Sequence, residues 1–210
     1  MSKLPILLLG AGGHARACID VIEQEARFSV TGLVGLPHEV GTVILGYSVL
    51  GTDADVPGLL RDGAHALVSL GQIKTAEQRM RLFDLLERDG RTLPVIVSPR
   101  AYVSPHAVVG AGSIVMHGAV VNANAVVGRN CIINSQALVE HDAVIGDHCH
   151  VATAAAINSG VRVGAGSFIG SNSSVRQGAV IGERSVIGMG QRVLAGCEPG
   201  TLMPPVKRPS

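Results

Sequence analysis

The sequence predicts two structural parts, a small α/β domain at residues 1–92 followed by a solenoid of very short parallel strands at residues 93–197. Residues 4–9 are almost entirely apolar and run into Gly10-Ala-Gly-Gly-His-Ala15, an order typical of strand, tight turn and helix. From Val97 to Val193, every sixth residue is Val or Ile in 17 consecutive positions. The residue two places before each of these is almost always small.

The first part alternates between strand-like and helix-like segments. Apolar runs predict strands at residues 4–9, 28–36, 44–50, 65–70 and 92–97, and apolar residues at helical spacing predict helices at 17–25 and 75–88. This alternation is typical of a small Rossmann-like parallel sheet. The second strand ends in Leu33-Val-Gly-Leu36 without an acidic residue for a ribose, which disfavours NAD binding.

A period of six fits neither an α-helix nor a simple two-residue alternation. It fits short strands separated by tight bends, with the large aliphatic residue inside and the small residue where the wall turns. Gly or Asn often follows the aliphatic residue, and we expect these residues to supply unusual backbone dihedral angles at the corners. The repeat fades after Val193, and residues 198–210 are predicted to form an extended, Pro-rich tail that covers or leaves the last coil.

Composition excludes several functional classes. The chain has a formal net charge of +1, 16% charged residues and only two Tyr, three Phe and no Trp, which argues against nucleic-acid binding. The apolar run at residues 6–9 is too short for a signal peptide or a membrane span, so we expect a cytoplasmic protein that does not bind membranes. Cys131 and Cys149 occupy the small interior position 18 residues apart, as a stacked pair of buried thiols would.

Reactive side chains are concentrated between residues 134 and 150. Three of the eight histidines, His141, His148 and His150, lie within ten residues. His141 comes two places after the interior Val139, a phase that predicts an outward position at a corner, and Asp142 adjoins it. An imidazole beside a carboxylate is a suitable general base near neutral pH.

Residues 5 to about 205 resemble a family, the bacterial sugar O- and N-acyltransferases that join a small α/β domain to a left-handed parallel β-helix. The resemblance is carried by Gly10-Ala-Gly-Gly-His-Ala15, by Asn134 with His141-Asp142 and His150, and by the unbroken hexads. The chain is most similar to N-acetyltransferases of nucleotide-linked 4-amino sugars of the bacillosamine and perosamine pathways. The resemblance implies the left-handed coil with three hexads, or 18 residues, per turn.

The resemblance also implies the roles of individual residues. His141 matches the family's catalytic base, and Asp142 matches the acidic neighbour that holds its imidazole. The residues that match the substrate site are Gly12, Gly13, His14, Asn134 and His150. The residues that match the acetyl-CoA groove are Ser159, Gly160, Ser171 and Met189. Acetyl-CoA is the implied cosubstrate, a homotrimer the implied assembly, and direct N-acetylation of a nucleotide-linked 4-amino-4,6-dideoxy sugar, without a metal, the implied reaction.

Three alternatives stay open at this point. An O-acetyltransferase acting on a free sugar such as sialic acid would use the same histidine base. A zinc enzyme of the γ-carbonic anhydrase type would use the same β-helix and three histidines. A non-catalytic sugar-nucleotide-binding protein would not need the His141-Asp142 pair. Some relatives have acidic residues after the second strand that bind the nucleobase, but residues 33–38 contain none, so the base is left open.

Overall fold

A computed structural model describes residues 3–60 and 64–206. Its first part contains five strands and three α-helices. In chain order these elements are β1 (Leu4–Leu9), α1 (Gly13–Glu25), β2 (Phe28–Val34), β3 (Val43–Ile44), β4 (Tyr47–Gly51), α2 (Val56–Leu59), β5 (His65–Val68) and α3 (Glu77–Arg88). Two short 3-10 turns, Pro37–Glu39 and Asp53–Asp55, precede β3 and α2.

The sheet of the first part has the order β3-β4-β2-β1-β5. All neighbouring strands are parallel except β3 and β4, which are antiparallel. The predicted α/β architecture is therefore confirmed. Helix α1 begins at Gly13, four residues before its predicted start, because the glycine turn, which shows no apolar periodicity, leads directly into the first helical turn.

The second part consists of eighteen two-residue strands. They are β6 (Ile96–Val97), β7 (Tyr102–Val103), β8 (Val108–Val109), β9 (Ile114–Val115), β10 (Val120–Val121), β11 (Val126–Val127), β12 (Ile132–Ile133), β13 (Leu138–Val139), β14 (Val144–Ile145), β15 (His150–Val151), β16 (Ala156–Ile157), β17 (Arg162–Val163), β18 (Phe168–Ile169), β19 (Ser174–Val175), β20 (Val180–Ile181), β21 (Val186–Ile187), β22 (Arg192–Val193) and β23 (Leu202–Met203).

These strands form the three parallel walls of a prism. Sheet 1 contains β6, β9, β12, β15, β18, β21 and β23; sheet 2 contains β7, β10, β13, β16, β19 and β22; sheet 3 contains β8, β11, β14, β17 and β20. Within each wall the hexad residues pair 18 positions apart, as Val121 pairs with Val139. The predicted coil of three hexads is confirmed.

The interior of the prism is a column of aliphatic and small side chains. The hexad residues from Val115 to Val193 are buried, and small residues such as Ala137 and Ala155 fill the spaces beside them. Cys131 and Cys149 are buried free thiols in this column, as predicted. Burial raises the pKa of the Cys131 thiol to about 12.

The glycines after the aliphatic residues have a different role from the predicted one. A Cβ atom on Gly146 would lie 2.7 Å from the backbone nitrogen of Ala165 in the next coil, so these glycines permit close stacking. The left-handed residues instead come three places after the aliphatic residue and recur every six positions from Gly112 to Gly190. Many of these left-handed residues are not glycine, so the distribution of Gly and Asn in the sequence pointed wrongly to the position directly after the aliphatic residue.

The two parts of the molecule pack against each other through α1 and sheet 1. Ile114 and Ile132 of sheet 1 belong to the same buried cluster as Ile19 and Ile22 of α1. His117 adds a polar link, because its Nε2 lies 2.7 Å from the Asp20 carboxylate. The α/β part therefore covers the part of sheet 1 that contains β6, β9 and β12.

Residues 198–206 lie along the last coil. Met203 in β23 pairs with Ile187, and Cys197 forms a bridge with Ile181. Residues 207–210 of the predicted tail lie outside the described residues. The domain limits at residues 92 and 197 stay predictions. No helix in the described ranges is long and apolar enough to cross a bilayer.

We expect the substitution Gly146→Ala to destabilise the prism, because its new methyl group would overlap the backbone of Ala165. Overpacking of this kind costs about 1–3 kcal/mol of unfolding free energy, measurable by denaturant titration. Gly58→Ala is the matched control, because a Cβ at this position of α2 meets nothing within 4 Å. Equal stability of the two variants would contradict the close-stacking role.

Candidate active site

His141 lies at the exposed corner between sheets 2 and 3, as the hexad phase predicted. The corner follows β13, and the side chains of His141 and Asp142 are 57% and 54% exposed. His141 Nδ1 lies 2.7 Å from Asp142 Oδ2. Since a carboxylate accepts, Nδ1 carries the hydrogen and Nε2 keeps its lone pair. Ser159 Oγ, 2.9 Å away, donates to that lone pair.

Asp142 is held in place from the coil below. It has a left-handed backbone conformation with φ of 61°, which Asp tolerates better than most residues. Asn124, 18 residues earlier, donates through Nδ2 to Asp142 Oδ1 at 2.6 Å. Hydrogen bonds from Asn124 and then from His141 lower the pKa of the Asp142 carboxyl. Asp142 therefore stays ionised and keeps the imidazole oriented.

Two predicted cofactor residues lie one coil beyond the base at the same corner. Ser159 follows His141 by 18 positions and makes the contact to its Nε2. Gly160 donates its backbone N–H to the His141 carbonyl at 3.1 Å. Gly160 is left-handed and has open space where a Cβ would be. The corner thus offers a flat surface beside the base.

A second polar group lies at the junction of sheet 1 and the α/β part. His150 donates through Nδ1 to the Gln72 carbonyl at 2.6 Å, and Asn134 Nδ2 donates to His150 Nε2 at 3.0 Å. Only 7% of His150 is exposed, and burial lowers its pKa to about 4. His150 is therefore neutral at physiological pH, with both ring nitrogens occupied.

His14 faces this group from the first turn of α1. Its ring centroid lies 6.3 Å from that of His150. Burial, followed by the charge of Arg79 and then by repulsion from His150 when that ring is protonated, lowers the pKa of His14 to about 3. Its Nε2 is buried and has no hydrogen-bond partner in the part of the chain that the structure describes.

The glycine turn beside His14 is open. Gly12 and Gly13 are exposed, and a Cβ atom on either would meet nothing within 4 Å. Gly12 caps the N-terminus of α1. Free backbone N–H groups at the start of a helix favour anions such as phosphate.

The predicted site residues thus fall into separate places within one chain. His141, Asp142, Ser159 and Gly160 share the corner between sheets 2 and 3, whereas Gly12, Gly13, His14, Asn134 and His150 surround the junction with sheet 1. Ser171 and Met189 line a largely apolar cavity of about 480 Å³ beside the junction group, since Ile73 and Phe168 line it too and the Phe168 ring contacts His150. No hydrogen bond or ring contact between described residues joins the base to the junction group.

Sequence reasoning missed the residues that tie the junction together. Arg79 on α3 and Gln72 after β5 reach across to the prism, and neither belongs to a motif that could have identified it. Glu39 lines a cavity of about 210 Å³ beside Gly10–Gly12, together with Asp53 and Arg81. Only residues 33–38 were considered as the segment after the second strand, and this segment ends one residue before Glu39.

Metal-binding side chains are not grouped in the described residues. They contain no set of three or more His, Cys, Asp or Glu placed to hold a metal ion. His148 is engaged elsewhere, because its Nδ1 accepts a hydrogen bond from Asn130 at 3.0 Å and its ring packs edge-on against Phe83.

The buried, neutral state of His150 predicts a pH-dependent stability. The pKa of His150 falls from 6.5 to about 4 on folding. The stability that the neutral ring contributes is therefore fully present above pH 6.5 and is lost as the pH falls towards 4. This corresponds to about 3 kcal/mol of unfolding free energy. In denaturant titrations at pH 7, 5.5 and 4, His150→Asn should lose less stability than the wild type. His106→Asn, at an exposed histidine, is the control and should lose as much stability between pH 7 and pH 4 as the wild type. An equal loss in His150→Asn would contradict burial of a neutral His150.

Comparisons with known proteins place the chain in a family. Residues 5–83 match the PglD N-terminal domain, and residues 160–195 match the hexapeptide repeat of succinyl-transferase. No curated protein matches the chain in sequence.

Solved structures match nearly the whole chain. PerB from Caulobacter crescentus, in complex with CoA and GDP-perosamine, is 31% identical with a TM-score of 0.87, over 94% of this chain and 92% of that chain. The acetyltransferase domain of PglB from Neisseria gonorrhoeae FA1090, in complex with acetyl coenzyme A, is 26% identical with a TM-score of 0.87, over 96% of each chain. WeeI from Acinetobacter baumannii AYE, 22% identical over 95% and 96% with a TM-score of 0.85, shares the fold.

These matches settle the handedness and the family together. The prism is the left-handed β-helix of hexapeptide-repeat acetyltransferases, and the α/β part is the domain that precedes it in PglD-type proteins. The chain therefore belongs to the family of hexapeptide-repeat sugar acetyltransferases that carry a PglD-type N-terminal domain.

Proposed function

We propose that the chain transfers the acetyl group of acetyl-CoA to the 4-amino group of a nucleotide-linked 4-amino-4,6-dideoxy sugar. The observation that carries this proposal is the His141-Asp142 pair at an open corner, where the Nε2 lone pair accepts from the Ser159 hydroxyl. PerB, which binds CoA and GDP-perosamine, and the PglB domain, which binds acetyl coenzyme A, support the choice of substrates.

His141 acts as general base in a direct transfer. The sugar amine replaces the Ser159 hydroxyl at Nε2 and attacks the thioester carbon, while Nε2 takes the proton that the amine loses. The ionised Asp142 stabilises the resulting imidazolium and remains unprotonated. The tetrahedral intermediate then collapses, the C–S bond breaks, and CoA leaves as a thiolate. The backbone N–H of Ser159 has no acceptor among the described residues and is suited to stabilise the oxyanion.

The junction group binds the sugar nucleotide. The diphosphate lies at the open Gly12–Gly13 turn, where the helix N-terminus supplies N–H donors. The unpartnered His14 Nε2 is the ring nitrogen left to bond the substrate, because both ring nitrogens of His150 already have protein partners. The nucleoside occupies the cavity beside Gly10–Gly12, at the carboxyl ends of β1 and β2.

The active site is completed between copies of the chain in a homotrimer. Within one chain the base and the junction group lie at different edges of the prism. Sheet 3 also exposes a column of valines, among them Val108, Val126 and Val180, which a closed threefold assembly would cover. Acetyl-CoA then lies in the groove between neighbouring prisms, against Ser159 and Gly160 of one copy and Ser171 and Met189 of another.

The enzyme is proposed to be cytoplasmic. Cys18, Cys131, Cys149 and Cys197 are all free thiols, which suits a reducing compartment.

The proposed activity is tested by following release of CoA thiol with UDP-, TDP- and GDP-linked 4-amino-4,6-dideoxy sugars and with free sialic acid. Turnover with one nucleotide amino sugar would support N-acetylation and identify the base. Turnover only with sialic acid would reassign the chain to O-acetylation. Binding of a nucleotide sugar without any turnover would favour a non-catalytic binding protein.

We expect His141→Ala to lower kcat by about 10²–10⁴-fold, because that is the scale of general-base catalysis. The exposed position of His141 predicts an unchanged melting temperature. Asp142→Asn, which keeps the side-chain size, should lower kcat less, since it removes the charge but leaves an acceptor for Nδ1–H. A His141→Ala variant with wild-type kcat would remove His141 from the role of base.

Sharing of the site between copies predicts complementation. His141→Ala and His150→Ala, each inactive alone, should regain part of the wild-type activity when co-expressed, because mixed trimers contain some sites with both histidines. Sedimentation equilibrium should give three times the chain mass. Trimers that show no complementation would mean that each site is built within one chain.

A further inference from the structure

The segment Ser69–Gln72, which follows β5, contacts the glycine turn and both histidines of the junction group. Ser69 Oγ donates to the Gly10 carbonyl at 2.7 Å. Gly71 lies against His14, since a Cβ on Gly71 would be 3.5 Å from the Cβ of His14. The Gln72 carbonyl accepts the hydrogen bond from His150 at 2.6 Å. The position of this short segment therefore sets the positions of the glycine turn and of both histidines.

One buried guanidinium holds this segment against the prism. Arg79 on α3 is 1% exposed. Its Nη1 donates to the carbonyls of Val68 at 3.0 Å and Leu70 at 2.5 Å. Its Nη2 donates to Asn130 of the prism, at 2.9 Å to the carbonyl and 2.7 Å to Oδ1. The rigid fork of Arg79 thus joins the end of β5 to a corner of the β-helix.

The charge of Arg79 is not neutralised in the usual way. Among the described contacts it bonds only to carbonyl oxygens and makes no salt bridge, and its Nε has no partner. Burial lowers its pKa to about 10, so it still carries a charge at neutral pH. Burying a cation without a counter-ion is unfavourable, and packing alone does not require it.

We propose that Arg79 is a positioning residue for the sugar nucleotide, holding Ser69–Gln72 so that His14 and His150 face the substrate. This proposal rests on the proposed function. The positive charge of Arg79 supports the same role, because it also helps to keep His14 and His150 neutral. The thiols of Cys18 and Cys131 beside Arg79 are neutral, so they leave its charge uncompensated.

The test compares Arg79→Met and Arg79→Lys with Arg88→Met, an exposed arginine on the same helix. We expect Arg79→Met to raise KM for the nucleotide amino sugar about tenfold or more and to leave kcat at saturating substrate within about twofold, since the base corner is remote. Arg79→Lys keeps the charge but not the fork and should recover only part of the loss. Arg88→Met should match the wild type. An unchanged KM for the sugar, or a fall in kcat as large as the rise in KM, would overturn the proposal.

A milder variant tests the proposal if Arg79→Met does not fold. Asn130 is left-handed, with φ of 52°, so Asn130→Gly keeps the backbone allowed while it removes the side-chain acceptor of Arg79. It should show the same selective rise in KM, of a smaller size.

A measurement without substrate separates this proposal from the proposed function. Amide exchange within residues 69–72 and the ¹⁵N resonances of His150 should both change in Asn130→Gly and stay constant in Arg88→Met. These changes would support the positioning role even if the wild type acetylates no sugar in the panel. Unchanged exchange and resonances would contradict it, whatever the activity.

Discussion

The structure depends on the exact superposition of each coil on the next. Because parallel pairs link the strand residues from β6 to β19 to those 18 positions later, any feature at a corner is continued by a column of residues along the prism. Glycines after the aliphatic positions permit this stacking, since any side chain would meet the backbone of the adjacent coil. The active corner is one such column, in which Asn124 holds Asp142 and Ser159 meets His141, each contact spanning 18 residues.

The α/β part depends on the same regularity. Sheet 1 is a flat wall that presents Ile114 and Ile132 to α1, so the small domain packs on a surface of repeated geometry. The apolar contact holds the two parts together, whereas the polar ties of Arg79, Gln72 and His117 determine their register. Hydrogen bonds are directional and apolar contacts are not, so this division of roles is expected.

The sequence predicted the regular features of the molecule and missed those that depend on long-range packing. The hexad pattern led to the coil of short strands and the exposed position of His141, because each depends only on local phase, whereas the three walls per coil came from the family resemblance. The glycine turn was predicted, but the start of α1 was not, because Gly13 and His14 lack helical periodicity. Arg79 could not be found, since it lies in a helix of ordinary amphipathic sequence and its partners are 9 to 51 residues away. Glu39 was missed because a 3-10 turn brings it back to the end of β2.

The stacking of identical coils also makes the molecule's geometry discrete. Neighbouring parallel strands are spaced by about 4.8 Å, so positions along the prism axis change only in steps of that size. His141 belongs to the coil that follows the one carrying Asn124 and precedes the one carrying Ser159. Loss or gain of a whole coil during evolution would leave every wall paired, yet it would shift the base against the docked domain by one step. Smaller changes in the distance between His141 and the α/β part must therefore come from the corners and from the α/β part itself, where the backbone can vary continuously.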